Sequence, residues 1–234
     1  MDFSILSELY EQLENTSSGN ELREILAEFF KKTPIDEIQI VSYLVLGKIA
    51  PDYQSAVLGF AEKSVLKAIS KASGKSVTEI TTLFKHYGDV GLAAQDVFAK
   101  KPITLLPVGK LTIKDLYETL HKIVNASGTG SLETKTNLLI TLYQKTLGIQ
   151  AKYLTRIVLG TMRLGVADMG VLDALSISFV GDKSARPILE HAYNIHPDVG
   201  LVAHTLANKG IKEVEKIPIV VGIPIRMMAA QRVS

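Results

Sequence analysis

The sequence predicts an all-α protein, and two observations carry that expectation: apolar residues recur at helical steps along most of the chain, and helix start signals precede the runs. The 234 residues are 47% apolar and 21% charged, the balance of a folded globular chain. Leu58, Ala61, Val65, Leu66, Ile69 and Ala72 recur at three- and four-residue steps. So do Leu138, Leu139, Leu142, Tyr143 and Leu147, and again Leu154, Ile157, Val158 and Met162. Ser18 with Glu21, Ser76 with Glu79, and Thr112 with Asp115 have the spacing at which side chains satisfy the orphan N–H groups of a first turn. Pro197 fits a first helical position. Breakers separate the runs at Pro51, Gly74, Gly88, Pro102 with Pro107, Gly128 with Gly130, Gly165 and Gly210. About twelve helices of ordinary length follow.

Two stretches depart from helical patterning. Residues 100–110, KKPITLLPVGK, read as a proline loop between two helical subdomains. Residues 217–226, IPIVVGIPIR, are β-branched and proline-broken and read as a short extended segment leaving a helical body of residues 1–216.

Composition removes several function classes. There is no cysteine, so disulfides and thiolate metal sites are excluded and a reducing compartment is compatible. The N-terminus is acidic and amphipathic, unlike a signal peptide, and no uncharged apolar window has the length of a membrane span, so a cytoplasmic protein is expected. The net charge of +2 is unevenly distributed. Residues 1–50 carry nine acids and four bases, whereas residues 121–165 carry Lys122, Lys135, Lys145, Lys152, Arg156 and Arg163 against Glu133 alone. A strongly basic segment in a near-neutral chain is the footprint of a bound polyanion, or else a solvated face.

Catalytic and cofactor motifs fail on spacing. Gly74-Lys75-Ser76 resembles the end of a phosphate-binding loop, but Ile69 stands where its first glycine is required. Gly128 and Gly130 begin a dinucleotide fingerprint that Glu133 breaks. The five histidines have no metal-ligand spacing, so no catalytic residue, metal or cofactor is expected in this chain.

Lys152, Arg156, Gly160 and Arg163 follow steps of four, four and three and so fall along one stripe of a helix. Gly160 is expected within that helix, where a missing side chain lets a sugar–phosphate backbone approach. The turn Arg163-Leu164-Gly165-Val166-Ala167-Asp168 follows, with Asp168 the expected N-cap of the next helix. A glycine turn feeding a helix N-terminus presents N–H groups and the positive end of the dipole to phosphate. Ser127-Gly128-Thr129-Gly130-Ser131, followed by a helix carrying Lys135, repeats the device. Lys122 and Lys63 are added on charge. Two such turns are expected to hold the phosphates of both strands of a duplex without reading bases.

These residues also carry a resemblance. Residues 151–174, AKYLTRIVLGTMRLGVADMGVLDA, are similar to the N-terminal domain of ATP-dependent DNA ligases of archaeal and eukaryotic replicative type. So are GTGSLETK at 128–135, LVLGKIAPDY at 44–53 and GDVGLAAQDV at 88–97, while VGIPIRMMAA at 221–230 resembles the junction that opens the family's adenylation (nucleotidyltransferase) domain. The resemblance implies an all-helical domain over residues 1–216 that binds nicked duplex DNA through the minor groove and the phosphate backbone, with residues 217–234 beginning the adenylation domain. It carries phosphate contact onto Gly128, Gly130, Ser131, Lys135, Arg156, Gly160, Arg163 and Gly165, with Lys122 and Lys152 added from charge. It also implies that adenylation and OB-fold domains of the same ligase are partners, and that ATP and Mg2+ serve the parent enzyme in replication, repair and recombination. The chain contains no Lys-x-Asp-Gly, the motif of the family's AMP-accepting lysine, so this part alone is expected to be inactive.

Two departures from the family pattern stand out. Met227 and Ala229 replace the usual proline and leucine of the junction, and the 98–109 loop lacks the paired aromatics expected for a sliding-clamp contact. Two other readings compete: a helical protein-interaction scaffold, and a sequence-specific helix-turn-helix regulator. The helix after Asp168, MGVLDALSISF, is too apolar to present Arg, Asn or Gln to base edges.

Overall fold

The structure, a computed structural model, describes residues 1–99 and 109–226. Among them are thirteen α-helices and one short 3-10 turn, and the β pairing is limited to an isolated antiparallel bridge between Asp2 and Thr112. The all-α expectation holds. The chain folds into two compact units, each assembled from separate stretches: Met1–Asn15, Gly47–Ile49 and Val57–Leu164 in the first, and Thr16–Leu46, Ala50–Ala56 and Gly165–Ser234 in the second.

The first unit contains α1 (Phe3–Glu14), α4 (Glu62–Ser73), α5 (Val77–Tyr87), α6 (Val90–Val97), α7 (Ile113–Asn125), α8 (Ser131–Gln144) and α9 (Ile149–Leu159). The second contains α2 (Gly19–Lys32), α3 (Ile38–Leu44), α10 (Asp168–Val180), α11 (Arg186–Ile195), α12 (Val199–Lys209) and α13 (Ile211–Val214). The proline loop at 100–110 is therefore not the divide that its composition suggests. Residues on both sides of it belong to the first unit, because α6 before the loop packs on α9 after it.

At the centre of the first unit is α9, whose residues Ala151 to Val158 are all buried. It packs on α1 and α6. Gly91 permits the α6 contact: a Cβ there would stand 3.0 Å from the Lys152 carbonyl oxygen and 3.0 Å from Arg156 Cγ. Phe98 stacks on Tyr143 at 5.4 Å between ring centres, and the Tyr143 hydroxyl lies 2.8 Å from Thr155 Oγ1, so the buried phenol is satisfied.

In the second unit α10 takes the central role, with its own Val171, Leu172, Ala174 and Leu175 buried and α2, α11 and α12 against it. Arg23 and Arg186 both pair with Asp173 of α10, which compensates that buried carboxylate. The Tyr43 hydroxyl donates to Asp198 at 2.6 Å, and Asp198 also caps α12 by accepting from the Leu201 N–H.

The start signals resolve in detail. Ser76 and Glu79 form a reciprocal capping box, and Ser18 and Thr112 accept from the backbone of Glu21 and Asp115. Pro197 does not open a helix. It precedes Asp198, the N-cap of α12, and the proline at a helix start is Pro187 in α11. The 58–72 periodicity overshoots its helix, because α4 begins only at Glu62. The 217–226 stretch forms no strand. The proline loop over 100–108 and the junction positions Met227 and Ala229 lie outside the described residues.

Candidate nucleic-acid interface

Lys152 and Arg156 do not line an open basic stripe. Both are buried, at 4% and 8% exposure, because α9 is enclosed on the side where α1 and α6 pack. At the end of α1, Glu14 Oε2 accepts from Lys152 Nζ at 2.8 Å, from the Tyr153 hydroxyl at 2.7 Å and from Arg156 Nη1 at 2.9 Å. Glu11 lies 3.3 Å from Lys152, and Asp89 accepts from Arg156 Nε at 3.2 Å. Burial opposes the charge on Glu14, but the three donors outweigh it and bring the carboxyl down to about 2. The open basic stripe expected from their spacing is therefore not formed, and both cations are matched to carboxylates within the first unit. The acidic start of the chain and its basic middle in part neutralise each other.

Gly160 also has a different role from the one expected. It does not lie within the helix; α9 ends at Leu159, and Gly160 adopts φ +66°. Its N–H donates to Ile157 O at 3.2 Å and the Thr161 N–H donates to Arg156 O at 2.9 Å, the paired bonds of a Schellman ending. A Cβ at Gly160 would meet nothing within 4 Å, so the backbone angle, not a close neighbour, demands glycine. Arg163, by contrast, is exposed and makes no ion pair among the described residues. It borders a cleft of about 320 Å³ whose lining includes Glu14, Glu62, Asp89, Arg156 and Thr161.

The first glycine turn leads into α8. Ser127, Gly128, Thr129 and Gly130 are exposed, and Ser131 is half-buried as the first residue of α8. Gly130 stands at the N-cap with φ +83° and so supplies no side-chain cap. Ser131 N–H donates to Gly128 O and Thr134 N–H to Gly130 O, and the N–H groups of Leu132 and Glu133 have no partner among the described residues. Two donors of the first turn thus remain available, although the Glu133 carboxylate reduces the positive potential there. Lys135, one turn on, is half-buried and its Nζ donates to Leu58 O at 3.4 Å. Lys122 and Lys63 are exposed, with no ion pair among the described residues.

In the second unit, Gly165 is exposed with φ +69° and leads into α10. Asp168 is not the N-cap. Ala167 holds that position and caps nothing with its side chain, while Asp168 is the first helical residue. Its carboxylate pairs with Arg226 at 3.1 Å. The Arg226 guanidinium also sits 4.8 Å from the Tyr193 ring centre.

The comparisons with known proteins follow the same outline. A family profile described as DNA ligase N terminus matches residues 2–176. The chain is 43% identical over its full length to a protein named DNA ligase 2 from Thermofilum pendens, covering 40% of that protein. It is 42% identical to a DNA ligase from Nitrosopumilus maritimus and 39% identical to a probable DNA ligase from Aquifex aeolicus, again over its full length and 40% of theirs. The chain belongs to the DNA ligase N-terminal family. It spans about 40% of the length of the curated relatives it matches.

Within this DNA ligase N-terminal chain, the block most specific to the resemblance, 151–174, is mainly the two central helices, α9 and α10. Its bases split by burial: Arg163 is open to solvent, and Lys152 and Arg156 are not. Sequence reasoning missed Glu11, Glu14 and Asp89, the partners of those cations, and Arg226. Glu11 and Glu14 lie one turn apart beside the buried Tyr10 and Leu13, a spacing that points carboxylates along a packed face. Nothing in the spacing of Asp89 or Arg226 reveals their partners, which are far away in sequence. Among the described residues there is no metal-binding group of three His, Asp or Glu side chains, and no helix is long and apolar enough to cross a membrane.

Proposed function

We propose that this chain is the duplex-gripping part of an ATP-dependent DNA ligase and binds nicked DNA through its phosphates without reading bases. The observation that carries the reading is full-length similarity to DNA ligases, combined with an exposed glycine turn that opens an uncapped α8. The residues favoured for contact are Gly128, Gly130, Ser131 and Arg163, with Gly165, Lys122 and Lys135 as further candidates; Lys152, Arg156 and Gly160 act through the fold. Backbone N–H groups and unpaired cations are insensitive to sequence, which suits an enzyme that must seal any nick.

In this reading residues 1–216 are the DNA-binding domain and 217–234 begin the adenylation domain. ATP and Mg2+ chemistry belongs to the adenylation and OB-fold domains of the parent protein, which are this part's partners. Approach through the minor groove and preference for a nick belong to the same proposal.

The test is a salt titration with nicked and intact duplexes of unrelated sequence. Affinity should be independent of sequence and fall with a log–log slope of about −0.9 per phosphate contact. Affinity insensitive to salt, or confined to one sequence, would overturn it. With ATP and Mg2+ this chain should form no covalent AMP adduct.

A further inference from the structure

Arg226 makes three contacts that together form a latch. Its backbone N–H donates to Asn194 O at 2.8 Å, near the C-terminal end of α11. Its guanidinium donates to Asp168 Oδ2 at 3.1 Å in the first turn of α10, and it stands over the Tyr193 ring. Nine residues earlier, at the other end of the stretch, Ile217 is buried. Between them Ile219, Val220, Val221 and Ile225 are exposed. Their stretch has one backbone bond of its own, Ile223 N–H to Val220 O. Residues 217–226 therefore form a strap held at its two ends.

The partner of the latch is what gives it a consequence. Asp168 places a carboxylate beside the Gly165 turn, at the mouth of α10, where N–H groups and the helix dipole otherwise favour an anion. Docked, Arg226 cancels that carboxylate. Released, it leaves Asp168 to repel a phosphate.

We infer that Arg226 is an electrostatic latch that couples closure of the 217–226 strap to phosphate binding at the Gly165 turn. The coupling rests on the duplex-binding reading above. By reciprocity, a duplex seated on that turn holds the strap closed. Arg226 is then a positioning residue for binding, and its cation acts on Asp168 instead of on the DNA.

The test uses the full chain, with amide exchange and duplex affinity as separate readouts. Arg226→Ala should speed exchange across 217–226 without DNA, and duplex should slow exchange there in wild type. The same variant should weaken duplex binding about threefold to fivefold, the effect of one surface carboxylate whose charge no longer faces Arg226, with the salt slope retained. Adding Asp168→Asn should restore the affinity. A double variant as weak as Arg226→Ala, with a slope reduced by about 0.9, would make Arg226 a direct phosphate contact and overturn the latch. Unchanged exchange in Arg226→Ala overturns the strap. If wild type binds no duplex at all, the parent reading fails along with the coupling; if wild type binds and Arg226→Ala binds equally well, the coupling alone fails.

Discussion

Arg156 Nη1 donates to Glu14 Oε2 at 2.9 Å from a side chain that α1 and α6 enclose, so the cation of α9 is matched within the first unit. The same carboxylate oxygen also receives Lys152 and Tyr153. Removing one partner from a buried pair leaves the others uncompensated and costs more than the pair contributes. Arg156→Ala should therefore lower unfolding stability by about 2–4 kcal/mol in a denaturant titration. Any loss of duplex affinity should follow the fraction unfolded. Normal stability with a reduced salt slope would return Arg156 to the DNA.

Arg163→Ala should behave in the opposite way. The side chain is exposed and unpaired, so stability should change by no more than about 0.5 kcal/mol. The slope of log affinity against log salt should fall by about 0.9, and the loss should be similar on every duplex sequence. Fluorescence anisotropy at several salt concentrations reads both quantities.

Glu14 sets an acid limb. Its carboxyl is lowered in the folded state from 4.5 to about 2, so its contribution is fully present above about 4.5 and is lost as pH falls from there toward 2. Thermal unfolding midpoints measured across that window should drop more steeply for wild type than for Glu14→Gln. At the alkaline end the sign reverses. Burial and the neighbouring Glu14 and Glu11 push the Tyr153 hydroxyl well above the ordinary 10.0, so its contribution holds below that value and is lost as pH rises through the folded one.

Gly91→Ala tests the close approach of α6 to α9. The added carbon would stand 3.0 Å from both the Lys152 carbonyl and Arg156 Cγ and 2.7 Å from Asp89 Oδ1, so the helices must separate or Asp89 must move. A loss of about 1–3 kcal/mol is expected. Gly160→Ala should cost about 1–2 kcal/mol for a different reason, the positive φ, although space is open around it. Equal stability of the two variants and wild type in urea would contradict both accounts.

Periodicity and caps made most helices legible, because each depends on residues within one or two turns. Ser76 with Glu79 is an example in which both halves of the signal sit in four residues. The helix ends were less legible: Met162 and Leu147 fit the apolar rhythm but lie beyond Leu159 and Gln144, where α9 and α8 stop. The candidate site divided along the same line. Gly128 and Gly130 declare a turn locally, whereas the solvent exposure of a cation depends on what packs over it. Lys152 and Arg163 look alike in the sequence, and only the placement of α1, far upstream, separates them.

The interleaved build of the two units constrains how the chain emerges from a ribosome. In the second unit, α2 packs on α10 and α3 on α12, partners that follow more than about a hundred residues later in the chain. At about 5–20 residues per second, α2 and α3 wait on the order of ten seconds for those partners to be translated. Apolar faces such as Leu22, Leu26 and Phe30 are uncovered throughout that interval. Nascent chains stalled before Asp168 should recruit holdase chaperones at the α2 segment, and cutting the polypeptide at a unit boundary should yield no independently folding half.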